Sequence, residues 1–229
     1  MESILSVNKS KNIKIVTALF LALTIQLSIL SVGLSHGSVL SSIIQTANAQ
    51  ADDAVKPYEN EKFGLTLSYP SNWAEHEFRN DPAAPRNNSI VVAFNSQPED
   101  ENDKFVQSVY LMVQGPNNNI KSLEQYTANS LKAFGNLTNA KIEQTGKDTL
   151  AGIPATQIVF TTSQQGVNQK KMQVFTVINN NTAYVVTFAA EASEYDDVLP
   201  DFEKMLNSIK IDRAAIENVA ENQNQPANS

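Results

Sequence analysis

The sequence predicts an α+β domain built on an antiparallel β-sheet, and three observations carry that prediction. Residues 156–162, 171–178 and 182–189 are β-rich runs joined by short polar connectors, the mark of antiparallel neighbours. Residues 63–69 alternate apolar and polar, the period of a half-buried strand. Near the C-terminus Val198, Leu199, Phe202, Met205, Leu206 and Ile209 make one apolar stripe at helical spacing.

In chain order, Lys9, Lys11 and Lys14 precede an apolar run over residues 15–34, and a small-residue stretch ends at Ala47-Asn48-Ala49. A positive start, an apolar middle and an A-x-A end make a secretory signal. The run is 20 residues long, enough to cross ~30 Å of hydrocarbon as a helix. A retained anchor over residues 15–34, its lysines inside, is therefore the alternative. Thr17, Thr24, Gln26, Ser28 and Ser31 interrupt the run and favour cleavage near Ala49. Both readings export the domain to the outer face of the membrane.

Residues 50–57 read as a short polar tether, residues 58–212 as the domain, and residues 213–229 as a polar, disordered tail. Residues 70–72 turn the chain into a second extended segment over 73–78. Residues 79–88 hold two prolines and several asparagines and read as a loop. Residues 89–94 and 105–113 are strand-like, with an acidic loop over 98–103 between them. Ser122 and Gln125 have capping-box spacing. The helix they start places Leu123, Tyr126, Leu131 and Phe134 on one side and is expected to end at Gly135. Residues 140–150 lead through a turn at 151–154 into the strand meander, and residues 179–181 are tight enough for a hairpin. The last helix is expected over 193–209, with Glu194, Asp196 and Asp197 favourably placed at its N-terminus and Pro200 as a kink or an early-turn residue.

Beyond residue 49 the chain carries 14 basic and 23 acidic residues. That balance argues against nucleic acid and against simple attraction to anionic lipid, both of which need a positive field. The chain has no cysteine, which excludes disulfides, thiol catalysis and cysteine-ligated metals. Beyond residue 49 three N-x-S/T triplets begin at Asn87, Asn136 and Asn180, a number that chance alone supplies in so asparagine-rich a chain.

Taken in order, residues 63–73 (FGLTLSYPSNW), 150–155 (LAGIPA) and 182–187 (TAYVVT), followed by Tyr195 and residues 208–211 (SIKI), resemble the PsbP-like family. The resemblance spans residues 58–211. It implies a twisted antiparallel sheet flanked by helices, an α-β-α sandwich, and a non-catalytic role. The family's namesake is an extrinsic subunit of photosystem II that helps retain calcium and chloride. The same fold occurs in a nuclear Ran-binding protein, a role that an export signal opposes.

Candidate sites are few. His76 stands between Glu75 and Glu77, a residue set that suits zinc or manganese, but strand alternation sends it to the face opposite both glutamates. Glu99, Asp100, Glu101 and Asp103 form the densest anionic loop and are the candidate ligands for a divalent cation such as calcium or manganese, although the spacing of an EF-hand is missing. Trp73 reads as a seal at the sheet end, and Tyr184 and Tyr195 as core groups with satisfied hydroxyls. No G-x-S-x-G elbow and no phosphate-binding glycine loop occurs.

The expected function is thus a non-enzymatic exported accessory or binding protein. Its partner would be a membrane-associated protein complex or another exported protein, with membrane contact only through a retained anchor or that partner. An exported divalent-ion or small-ligand binding module is the alternative, and a secreted hydrolase the third reading.

Overall fold

In a computed structural model the chain divides into two units, residues 1–54 and 55–229. The structure describes residues 54–78, 89–98, 103, 105–115, 119–164, 166–179 and 181–212. The expected signal or anchor, the loop over 79–88 and the tail lie outside the described residues. The second unit holds the domain.

Its elements are β1 (Val55–Asn60), a 3-10 turn (Glu61–Phe63), β2 (Leu65–Pro70), β3 (Ala74–Glu77), β4 (Ser89–Asn95), β5 (Ser108–Gln114), α1 (Leu123–Gly135), β6 (Ala140–Leu150), β7 (Ile153–Gln164), β8 (Val167–Ile178), β9 (Thr182–Glu191), α2 (Tyr195–Ser208) and β10 (Lys210–Ile211). They form a seven-stranded sheet in the order β3-β4-β5-β9-β8-β7-β6 and a three-stranded sheet in the order β1-β2-β10, antiparallel throughout. This is the α+β architecture the strand pattern predicts.

One expectation is corrected at the start. Val55, Lys56 and Pro57 are not tether but the first half of β1, paired with Pro70, Tyr69 and Ser68. Their side chains are exposed, so no apolar alternation marks the strand, and Pro57 is tolerated because β1 is an edge.

The two faces of the large sheet are covered differently. On one, the small sheet and α2 close over the main core. Phe188 of β9 stacks on Phe202 of α2 with ring centroids 4.8 Å apart, and Tyr58 and Tyr69 pack on Phe94 of β4. Val198, Leu199 and Leu206 pack at the edge of this core, so the predicted stripe is the buried one. Pro200 lies inside α2, whose sixth position it occupies; there its missing N–H costs one helical hydrogen bond.

On the other face α1 lies over β6 to β8. Tyr126 meets Phe175 and Phe134 meets Phe160. The helix buries Tyr126, Ser130, Ala133 and Phe134, whereas Leu123 and Leu131 are only half-buried. The contact face is therefore turned from the one the larger apolar residues suggest, because small residues at 130 and 133 let the helix approach the sheet. Ser122 Oγ accepts from the Gln125 N–H at 3.2 Å, and Gln125 Oε1 accepts from the N–H of Lys121, one residue before the expected target. Gly135 is the last helical residue rather than a left-handed stop; Asn136 caps the helix in a right-handed conformation.

Tight links join β6 to β9. Ala151 and Gly152 have φ 53° and 73°, the two left-handed residues of a type I′ hairpin. Asn179 supplies φ 52° between β8 and β9. At its free edge β6 carries a register shift between Ile142 and Gln144 and exposed Lys141, Glu143 and Lys147, which blunt it against pairing with another chain.

Candidate functional site

Of the predicted site residues the structure describes His76, with its flanking glutamates, and Asp103. His76 is exposed on edge strand β3, its ring edge-on to Phe78 at 4.6 Å. Register places it opposite Ala93, while Glu75 and Glu77 lie opposite Phe94 and Val92 on the other face. There both glutamates are engaged. Glu75 Oε2 accepts from the Tyr69 hydroxyl at 2.9 Å and Glu77 Oε1 from the Tyr58 hydroxyl at 3.0 Å. These bonds brace the small sheet against β3.

Of the acidic loop, Glu99, Asp100 and Glu101 lie outside the described residues. Asp103 is half-buried, and its Oδ1 accepts from the Phe105 N–H at 2.9 Å as the chain re-enters the sheet. Among the described residues no group of three or more histidines and carboxylates stands close enough to hold a metal ion.

The aromatic positions divide. Trp73 is half-buried and packs on the core, and its N–H closes the turn to the Pro70 carbonyl at 3.0 Å. The Tyr184 hydroxyl is satisfied by the Phe63 carbonyl. Tyr195 departs from expectation: its buried hydroxyl has no hydrogen-bond partner. Its ring is instead held by Lys170, whose Nζ lies 4.4 Å from the centroid and 3.6 Å from Asp196.

The most unusual group of the domain carries no mark in the sequence. Lys171 is the one charged side chain among the buried described residues, with 0% of its surface exposed. It lies opposite Phe160 and Ala189. Phe160 packs on α1, so Lys171 shares the α1 face of the sheet. Strand alternation puts Gln169 and Gln173 on the same face beside it. Across β9 the row continues through Thr187 to Tyr110 on β5, and through Ala189 to Ser108. All five polar neighbours in these rows, Gln169, Gln173, Thr187, Tyr110 and Ser108, are buried.

Gln173 Nε2 donates to Thr187 Oγ1 at 3.1 Å, but Lys171 Nζ and Gln169 Oε1 have no hydrogen-bond partner. Burial pushes the Lys171 ammonium down to about 8 and the Tyr110 hydroxyl well up, so Tyr110 remains a proton donor at neutral pH. Removing an ammonium from water without a counter-charge is costly. The interior of the sheet nonetheless holds one.

Neither a protein-family model nor a curated protein sequence matches the chain. Solved structures do. Cyanobacterial PsbP (CyanoP) of Synechocystis sp. PCC 6803 aligns with a TM-score of 0.50 and 12% identity, over 74% of this chain and 99% of that one. LpqN, involved in cell envelope biogenesis of Mycobacterium tuberculosis, gives 0.49 and 18%, over 69% and 90%. The Ran-binding protein Mog1p of Saccharomyces cerevisiae gives 0.46 and 10%, over 71% and 98%. At such identities the likeness is one of fold: the two described helices and the antiparallel sheets make an α+β architecture like that of the PsbP-like neighbour.

Proposed function

We propose that this chain is a non-enzymatic accessory or binding protein, exported and working on the outer face of the membrane through contacts with a membrane-associated complex or another exported protein. The observation that carries the reading is how the fold spends its reactive groups. Glu75, Glu77 and Glu194 each accept a hydrogen bond from a tyrosine or glutamine on another element, and His76 faces away from the first two. A general acid or base needs a carboxylate or imidazole free to exchange protons with a substrate; here the three glutamates brace strands and a helix end. The PsbP-like fold and the export pattern of residues 1–49 support the same conclusion.

Val55 is the one exposed large hydrophobic side chain among the described residues, so the contact surface in this reading is polar and its affinity salt-sensitive. The test is crosslinking of the tagged full chain in its own host, followed by fractionation and capture. Recovery in the membrane or extracytoplasmic fraction with one reproducible partner, released by raised salt, is the expected result. Recovery in the cytoplasm, or repeated capture of nothing after crosslinking, overturns the proposal.

A further inference from the structure

Part of the α1 face of the large sheet is polar where an interior face is ordinarily apolar. Gln169, Lys171 and Gln173 follow one another along β8, with Tyr110, Thr187 and Ser108 on the neighbouring strands. The described contacts of α1 reach this face at Phe160, Phe175, Thr156 and Gln114. Beyond Phe160, toward β9 and β5, lies the cluster around Lys171.

Two atoms in it have unmet needs of opposite kind. Lys171 Nζ is a cationic donor without an acceptor, and Gln169 Oε1 is an acceptor without a donor. Directly opposite Lys171 on β9, Ala189 carries only a methyl group and no polar group to pair with the ammonium. Buried polar atoms without partners are rare in folded proteins, and each calls for an explanation. A ligand that completes both is one of specific chemistry. It carries a single negative charge for Lys171 and a hydrogen-bond donor a few bonds away for Gln169.

We propose that Lys171 and Gln169, with Tyr110, Thr187 and Gln173 lining the floor, form a binding site for a small carboxylate that bears an adjacent hydroxyl or ammonium group. A single buried cation balances a carboxylate. A phosphate, with nearly two charges at neutral pH, would be left undercompensated among the neutral donors of this face. The site is independent of the partner proposed for the outer surface, and failure to capture a protein leaves it standing.

Thermal unfolding and isothermal calorimetry of the full chain with L-lactate, glycine, acetate and inorganic phosphate test the assignment. L-lactate or glycine is expected to bind saturably, raising the melting temperature, with acetate weaker because it lacks the donor. K171M keeps the length of the side chain without its charge. It is expected to stay folded and to weaken binding at least tenfold. Q169L is expected to reduce the response to L-lactate or glycine to that of acetate. Binding of none of the carboxylates by the wild-type chain, unchanged binding in K171M, or tighter binding of phosphate than of either donor-bearing carboxylate overturns the proposal. So does a crystal structure, grown with L-lactate, in which ordered water alone joins Lys171 Nζ to Gln169 Oε1.

Discussion

The Tyr184 hydroxyl donates to the carbonyl oxygen of Phe63 at 2.9 Å, across 121 residues of chain. One end of the bond is in β9, at the middle of the seven-stranded sheet; the other is in the 3-10 turn between β1 and β2. It therefore ties the two sheets together within a largely apolar interface. Replacing Tyr184 with Phe keeps the ring and leaves the Phe63 carbonyl without its donor. The expected cost is about 1–2 kcal/mol, read as a lower urea midpoint with unchanged slope.

The buried ammonium of Lys171 has a pH signature. Its pKa is lowered by burial to about 8 from 10.5. Between those values the unfolded chain binds more protons than the folded one, so stability rises as pH climbs through that window. The gain is on the order of 3 kcal/mol if the whole window is traversed. Burial holds Tyr110, Tyr126 and Tyr184 above the ordinary tyrosine value of 10.0, so their linkage lowers stability above pH 10. Denaturant melts from pH 7 to 11 should show stability rising from about pH 8 toward 10 and then turning down. K171M should abolish the rise and exceed the wild type at pH 7, because an apolar chain replaces an unpaired charge.

Ala151 holds φ 53° in the hairpin between β6 and β7, a left-handed conformation that strains an alanine. Ala151→Asn creates the Asn-Gly pair that type I′ turns favour and should stabilise the protein by about 0.5–1 kcal/mol. A thermal melt checks the gain. Gly152→Ala, at φ 73°, should lower the melting temperature in the same assay.

Ser122 is the side-chain cap of α1. Ser122→Ala removes the bond to the Gln125 N–H and should cost about 1 kcal/mol. Because α1 covers β6 to β8, hydrogen exchange should quicken in the first turn of the helix before it does in the sheet.

Much of this architecture was legible in the chain. The runs that became β7, β8 and β9 are rich in β-branched and aromatic residues, and the α2 stripe is uninterrupted from Val198 to Ile209. What escaped did so for physical reasons. β1 has an exposed outer half, so Lys56 and Pro57 look like linker. β10 is two residues long, and only its pairing with Thr66 and Leu65 makes it a strand. At the site, Gln169, Lys171 and Gln173 alternate with Lys170, Met172 and Val174, which reads as a strand with one solvated face. Both faces of β8 are in fact buried, so the polar residues are interior ones, and sequence alone cannot distinguish the two cases. The acidic loop, by contrast, stood out by charge, yet its described member Asp103 serves the backbone of Phe105.

The order of the large sheet also sets a sequence of events in time. β6, β7, β8 and β9 follow one another in chain and in space, so each can pair with its predecessor soon after synthesis. β5 must wait: its Ser108 lies opposite Ala189 and its Gln114 opposite Ala183. No strand before β9 can take that place, so β3, β4 and β5 remain an incomplete sheet until almost all of the domain has been made. Pairings this distant in sequence form slowly. A chain made N-terminus first thus carries its first five strands unlocked until β9 arrives and closes the fold.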